Sequence, residues 1–302
     1  MQEILIKAGC YVAIILLGMW LRRIGFFKKE DFSVLSKIVI NITLPAVIIS
    51  SAAGRQIDLS LLMLSLLGFG GGALYMSIGY LLNRKGTKEQ QAFDILNIPG
   101  YNIGTFALPF TASFLGSTGV LATSLFDVGN AFVCLGGAYG VASAVQDGKG
   151  LDMRSVAKAL SRSVPFLTHV GVLILNLLHL SLPRPIISCA DIIGQGNTFL
   201  AMLMIGVGFQ LSGERSQMGH IAKILITRYG IAAILALCYY FLLPFDLIIR
   251  QALVILCFSP FGSAIPGFTH QLGGDSGLSS AVSSMSIIIS MVIIVTLLIL
   301  ML

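Results

Sequence analysis

The chain has 302 residues, 56% of them hydrophobic and only 11% charged, with a mean hydropathy of +0.92. Soluble domains carry about a quarter charged residues, so this composition excludes a soluble globular protein and predicts a polytopic membrane protein. The net charge of +6 is no nucleic-acid signal, because the basic residues lie in short loops between apolar runs, where they set orientation.

A helix needs about 20 apolar residues to cross the hydrocarbon core. Ten segments fit, here called spans 1 to 10: residues 4–24, 35–53, 59–82, 93–115, 119–143, 163–183, 187–211, 220–243, 249–272 and 276–302. Span 1 has Glu3 and Lys7 at its start and lacks a small-residue cleavage site, so it reads as a retained span, not a signal peptide. The longest connection, about 144–162, divides the chain into a five-span repeat (1–145), a cytoplasmic linker (146–162) and a second five-span repeat (163–302). Arg22, Arg23, Lys28, Lys29 and Lys37, then Arg84, Lys85 and Lys88, then Lys149, Arg154, Lys158 and Arg162, then Arg215, Lys223 and Arg228 are assigned to one side. The other side keeps Lys7, Arg55, Arg184 and Arg250. The positive-inside rule then places the linker in the cytoplasm and both termini outside. Five is an odd number, so the two repeats must be inverted. Ile95-Leu96 with Pro99 resembles Ile255-Leu256 with Pro260, and Asn41 and Asn197 fall about 156 residues apart.

Span 4 ought to be a plain membrane helix and is not. No Asp, Glu, Lys or Arg occurs from Ile95 to Phe126, yet the run contains Asn97-Ile-Pro99-Gly100-Tyr-Asn102-Ile-Gly104 and then Pro109. Span 9 repeats the device with Ser259, Pro260, Gly262, Ser263, Pro266 and Gly267. Proline removes a backbone donor, and unwound backbone at membrane depth survives only where it is buried in protein or lines a polar cavity. Two such breaks in corresponding halves point to a transporter's binding site. A helix restarted at mid-membrane offers free N–H groups and a positive dipole end, an anion site without a side-chain cation. Neither span 4 nor span 9 holds Lys or Arg except Arg250 at an end, so dipoles and amides are expected to do most of the binding. Asn97, Asn102, Gly100, Pro99, Pro109, Ser259, Pro260, Ser263 and Pro266 are the candidate substrate residues. The alternative is a pair of kinks packed against neighbours, with the serines bonding their own backbone.

Other polar residues carry two readings each. Asn41 and Thr43, before Pro45 in span 2, and Gln195 and Asn197 in span 7, line a site or glue helices together. Asp127, about eight residues into span 5, is a functional candidate by default. It is expected to carry a proton, with Asn130 on the same face, or else to hold spans 4 and 5 together. Asp94 is expected to cap span 4. His169, His179, His220 and His270 sit on different spans and read as satisfied interfacial residues, with His270 also placed to sense pH. The five cysteines, Cys10, Cys134, Cys189, Cys238 and Cys257, show no metal-ligand spacing and read as apolar fillers. No metal site or cofactor is expected.

The residues Lys37-Ile-Val-Ile-Asn41-Ile-Thr-Leu-Pro45, Asn97-Ile-Pro99-Gly-Tyr-Asn102-Ile-Gly104, Ala107-Leu-Pro109 and Pro260/Pro266 resemble the auxin efflux carrier family, which includes bacterial malate-type permeases and distant plant PIN relatives. The resemblance implies an all-α membrane fold of ten helices in two inverted five-helix repeats, like bile-acid symporters and NhaA, with spans 4 and 9 crossing at prolines beside a substrate pocket. It also implies an elevator, with spans 1, 2, 6 and 7 as scaffold, a homodimer through that scaffold, and organic anions such as dicarboxylates or indole acetate as substrates. The long cytoplasmic loop of the plant relatives is absent. The expected function is therefore a secondary carrier of small organic anions in the plasma membrane, with proton or sodium coupling open. The alternatives are a sodium-coupled symporter of the bile-acid-carrier fold, an intramembrane enzyme, for which no nucleophile-plus-base pattern stands out, and a membrane sensor, for which no output domain is visible.

Overall fold

The computed structural model describes residues 2–28, 30–52, 59–148, 153–209 and 217–302; Lys29, Arg55, Lys149 and Arg215 of the charge pattern lie outside them. Apart from turns, connections and two unwound stretches, the described residues are helical, with no strand among them. In chain order they form α1 (Gln2–Arg23), α2 (Asp31–Ala52), α3 (Ser60–Leu82), α4 (Lys88–Asn97), α5 (Ile103–Asp147), α6 (Met153–Arg162), α7 (Val164–Leu177), α8 (Arg184–Gly208), α9 (Met218–Leu242), α10 (Leu247–Cys257), α11 (Ile265–Gln271) and α12 (Ser276–Met301). Seven of these are long and apolar enough to cross a membrane, and eight if α6 and α7, bent by 79°, count as one. The number falls short of ten because spans 4 and 9 are split into short pieces, and because the second half of span 4 runs into span 5 as α5, kinked at Gly116 (φ 60°).

Local chemistry explains the ends and irregularities. Thr87 caps α4 in a reciprocal box with Gln90. Asp94, expected to cap, instead lies two turns in and fully buried. It accepts from Asn83 Nδ2 at 2.6 Å and pairs with His220 at 3.0 Å, tying α3, α4 and α9. The linker is not a plain loop: its second part is α6, which buries Val156 and Leu160 and leaves Arg154, Lys158 and Arg162 exposed. Two widened π turns, Val39–Thr43 and Ile103–Ala107, each precede a Leu-Pro pair, Leu44-Pro45 and Leu108-Pro109. A proline ring collides with the carbonyl four residues back. Shifting to a five-residue bond, Leu44 N–H to Val39 O and Leu108 N–H to Ile103 O, accommodates it within a continuing helix.

Packing sorts the long helices into two groups. In one, α1 and α2 pack on α8, and α7 packs on α2. In the other, α3 packs on α4 and α5, α10 on α5 and α9, and α11 on α12. Each group is cinched where glycine lets backbones touch. A Cβ on Gly206 would stand 2.1 Å from the Ile15 carbonyl of α1, and one on Gly129 only 1.8 Å from the Ser65 carbonyl of α3.

Candidate functional site

The two interrupted helices meet. α4 stops at Asn97 and the chain unwinds through Asn102 before α5; α10 stops at Cys257 and the chain unwinds through Ala264 before α11. Asn102 N–H donates to the Pro260 carbonyl at 2.9 Å, joining the two unwound stretches directly. Pro99 and Pro260 therefore sit in the breaks, whereas Pro109 lies just past the π turn that opens α5 and Pro266 in the first turn of α11. Gly100 turns the first break at φ +86°, a conformation that favours glycine, and a Cβ there would meet Cys134 Sγ at 2.9 Å.

Arg228 is the centre of this junction. The charge count put it in a loop; the structure corrects this, placing it well inside α9 with 1% of its surface exposed. Its guanidinium donates to the Ile98 carbonyl at 3.1 Å and to the Ser259 carbonyl at 3.2 Å. It also stacks over Tyr75 (4.2 Å to the ring centroid), Tyr101 (4.5 Å) and Phe261 (5.3 Å). Ile98 and Ser259 lie just past the C-terminal ends of α4 and α10, where helix dipoles leave negative charge and unpaired carbonyls. One cation, carried by a helix outside both interrupted spans, thus answers both C-terminal ends.

Side chains close the remaining backbone valences. Asn130 acts as a stand-in peptide for Tyr101: its Oδ1 accepts from the Tyr101 N–H at 3.2 Å and its Nδ2 donates to the Tyr101 carbonyl at 3.0 Å. The same Nδ2 donates to Asp127 Oδ1 at 2.8 Å. In the second break, Ser286 accepts from the Phe261 N–H at 3.3 Å. Asn97 is saturated by the Phe93 carbonyl, Thr269 and Ser279.

Two cavities flank the junction and share Asn102, Ser263 and Ala264 as a common wall. The larger, about 380 Å³, adds Arg22, Phe32, Pro266, Ser280, Ser283 and Ser284. Arg22 reaches it while Nη1 donates to the Val207 and Phe209 carbonyls at 2.7 and 3.2 Å, at the end of α8. The smaller, about 160 Å³, adds Asp127, Asn130, Cys134 and His169. A further cavity of about 440 Å³ lies away from the junction, against Phe93, His220 and Asp275.

Of the sequence candidates, Asn102 and Ser263 line both cavities and Pro266 the larger. Pro99, Gly100, Pro260 and Ser259 build the junction, the Ser259 hydroxyl having no partner. Asn102 accepts from the Thr105 hydroxyl. Pro109 lies outside both cavities, its carbonyl accepting from Tyr11 at 3.3 Å. Asn41 is exposed, bonds the Lys37 carbonyl at 3.0 Å and lines neither cavity. Thr43, two residues on, makes the inter-helix bond to Asn197 Oδ1 at 2.8 Å. Sequence reading missed Arg22, Tyr101, His169 and Ser286. Only Arg228 carried a usable signal, a charge within an apolar run. Among the described residues no cluster of metal-ligating side chains is found.

Apolar helices around two touching breaks, with polar cavities on either side, define a membrane transporter. A family model described as membrane transport protein matches residues 11–161; that is half the chain, and the chain belongs to this family, that of the auxin efflux carriers. Over 124 residues it is 29% identical to an uncharacterized transporter of Methanothermobacter thermautotrophicus, a match covering 39% of this chain and 40% of that protein's length.

Proposed function

We propose that the protein is a secondary transporter of small organic anions, dicarboxylates or auxin-like weak acids, working in the plasma membrane by an elevator-type exchange between its two helix groups. The observation that carries this is the Asn102–Pro260 junction, walled on one side by a cavity that combines Arg22, Asn102 and several serines. A guanidinium with hydroxyl and amide donors suits a carboxylate. Asn102, Ser263 and Pro266 are the substrate residues of this reading, with Arg22 added.

The same reading takes spans 4 and 9 as one crossing each, which gives ten crossings in two inverted five-span repeats with both termini extracytoplasmic. Two features support it. Asn130 and Ser286 each cap the N–H at an equivalent place in the two breaks. Exchanging spans 1–5 with 6–10 also turns the helix set of the smaller cavity (spans 2, 4, 5, 6 and 9) into that of the larger (1, 4, 7, 9 and 10). Both cavities adjoin chain ends that carry the basic connections, Arg22 and Phe32 in one and Ser163 in the other, which fits a state open to the cytoplasm. On the opposite side, Tyr11 packs against Phe110 at 5.1 Å and bonds Ser113, and Leu44, Ile48, Leu108 and Val120 form a small apolar cluster, a seal between the two groups.

A sodium-coupled carrier needs backbone carbonyls at the crossover for its cation, and those of Ile98 and Ser259 are engaged by Arg228. A family of membrane transport proteins favours a carrier over an intramembrane enzyme. Uptake of radiolabelled malate, succinate and indole acetate into proteoliposomes tests the proposal. Saturable uptake of one of them that weakens in Arg22→Gln supports it, and no carboxylate flux with or without sodium sinks it.

A further inference from the structure

The smaller cavity differs from the larger in one respect that packing alone does not explain. His169, on α7, is a buried residue at 6% exposure, and its Nε2 has no hydrogen-bond partner. The ring is tied back to the Pro165 carbonyl of its own helix, so the other nitrogen is the unanswered one. Buried polar atoms are nearly always satisfied, and one that is not calls for an explanation such as an unseen ligand or a role in the working cycle. His169 stands between the cavity that holds Asp127 and a small void beside Ser124, whose hydroxyl also has no partner. Asp127 has Oδ1 engaged by Asn130 and is half-buried at the cavity wall. The two groups stand on facing helices: Asp127 on α5, which packs with α3 and α10, and His169 on α7, which packs mainly with α2 and also touches α5.

Building on the transporter reading, we propose that this cavity is a proton-coupling site in which His169 on the static wall exchanges a proton with Asp127 on the moving wall. In the exchange the Asp127 carboxyl gives up its proton, the His169 Nε2 lone pair takes it, and the imidazolium then releases it to water entering from the open side. Moving α5 away from α7 would separate the two walls of the cavity, so proton transfer is tied to one position of the elevator. The other titratable groups facing the site are few. Tyr101 and Cys134 share the cavity. Arg228 lies behind the Tyr101 ring and is committed to two carbonyls. The packed faces of α2 and α3 bring no acid or base there, Arg250 of α10 bonds the Tyr240 carbonyl, and the basic side chains of α6 are exposed.

Infrared titration of the purified protein in nanodiscs tests this without a known substrate. The Asp127 carboxyl band is assigned by its loss in Asp127→Asn and followed against pH in wild type and His169→Gln. A coupled pair is expected to show a shift of the Asp127 midpoint of about one pH unit, a tenfold change in proton affinity; an unmoved midpoint overturns the proposal. The reciprocal measurement needs no His169 variant: the His169 ring-nitrogen shift, titrated in wild type and Asp127→Asn, should differ, and superimposable curves again overturn the pairing. In proteoliposomes, carboxylate uptake should accelerate under an imposed pH gradient in wild type, and lose that response in both variants while carboxylate exchange persists. Flux in wild type that ignores the gradient overturns the coupling alone. Absence of any carboxylate flux overturns the transporter reading and leaves the spectroscopic result to stand by itself.

Discussion

The two breaks solve one problem with unequal means. The first, 98–102, uses a left-handed glycine and a carboxamide that pairs with both ends of the Tyr101 peptide unit. The second, 258–264, contains no positive-φ residue and receives a single serine bond at Phe261. Both then lean on the same guanidinium. The contrast teaches that the first break is individually built and rigid, whereas the second depends more on its shared support. The cavities differ in the same spirit. One wall presents a cation and hydroxyls, the other an acid, an amide and an imidazole, so the two sides of one junction are suited to different cargo.

Substitutions at five positions sharpen this comparison. Arg228→Met should have the largest effect, because it strips both helix ends of their donor at once. Two charged hydrogen bonds at about 1.5–3 kcal/mol each predict a loss of roughly 3–6 kcal/mol, read as a large drop in thermal midpoint in detergent, with Arg228→Lys recovering only part of it. Next comes Asn130→Ala, which orphans the Tyr101 N–H and leaves its carbonyl to the Ile103 N–H, and should cost about 1–3 kcal/mol; equal stability to wild type would dissolve the claimed asymmetry. Arg22→Gln should cost less stability than Arg228→Met, since its bonds to the Val207 and Phe209 carbonyls are only part-buried, and raise the KM for a carboxylate about tenfold, roughly 1.4 kcal/mol, while Asp127→Asn leaves that KM alone. Smallest is Ser286→Ala, with about 1 kcal/mol. A cost matching that of Asn130→Ala would mean that the breaks are equivalent after all.

Much of the helix layout was legible beforehand, since apolar runs bounded by charged loops must match the bilayer thickness; span 10, for example, was placed at 276–302 and α12 is Ser276–Met301. The two breaks were legible for an equally local reason, the missing N–H of Pro99 and Pro260. Partner choice was not. Asn41 and Thr43 are two residues apart, and which one turns inward depends on a π turn that rotates the helix face. The partners of Asn97, Thr269 and Ser279, lie 172 and 182 residues away and could not be foreseen. Arg228 was misplaced because counting charges by side rewards a loop assignment, while its burial depends on Tyr75, Tyr101 and Phe261 converging from three other segments.

By itself, then, the amino-acid sequence determined a polytopic helical membrane protein with two interrupted spans, because hydrocarbon length, proline and glycine act locally along the chain. Only the tertiary structure decided that the interruptions touch, that one arginine serves both, and that Asp127 and His169 share a cavity, because a buried polar group takes whichever partner packing brings within about 3 Å, and packing is a property of the whole molecule.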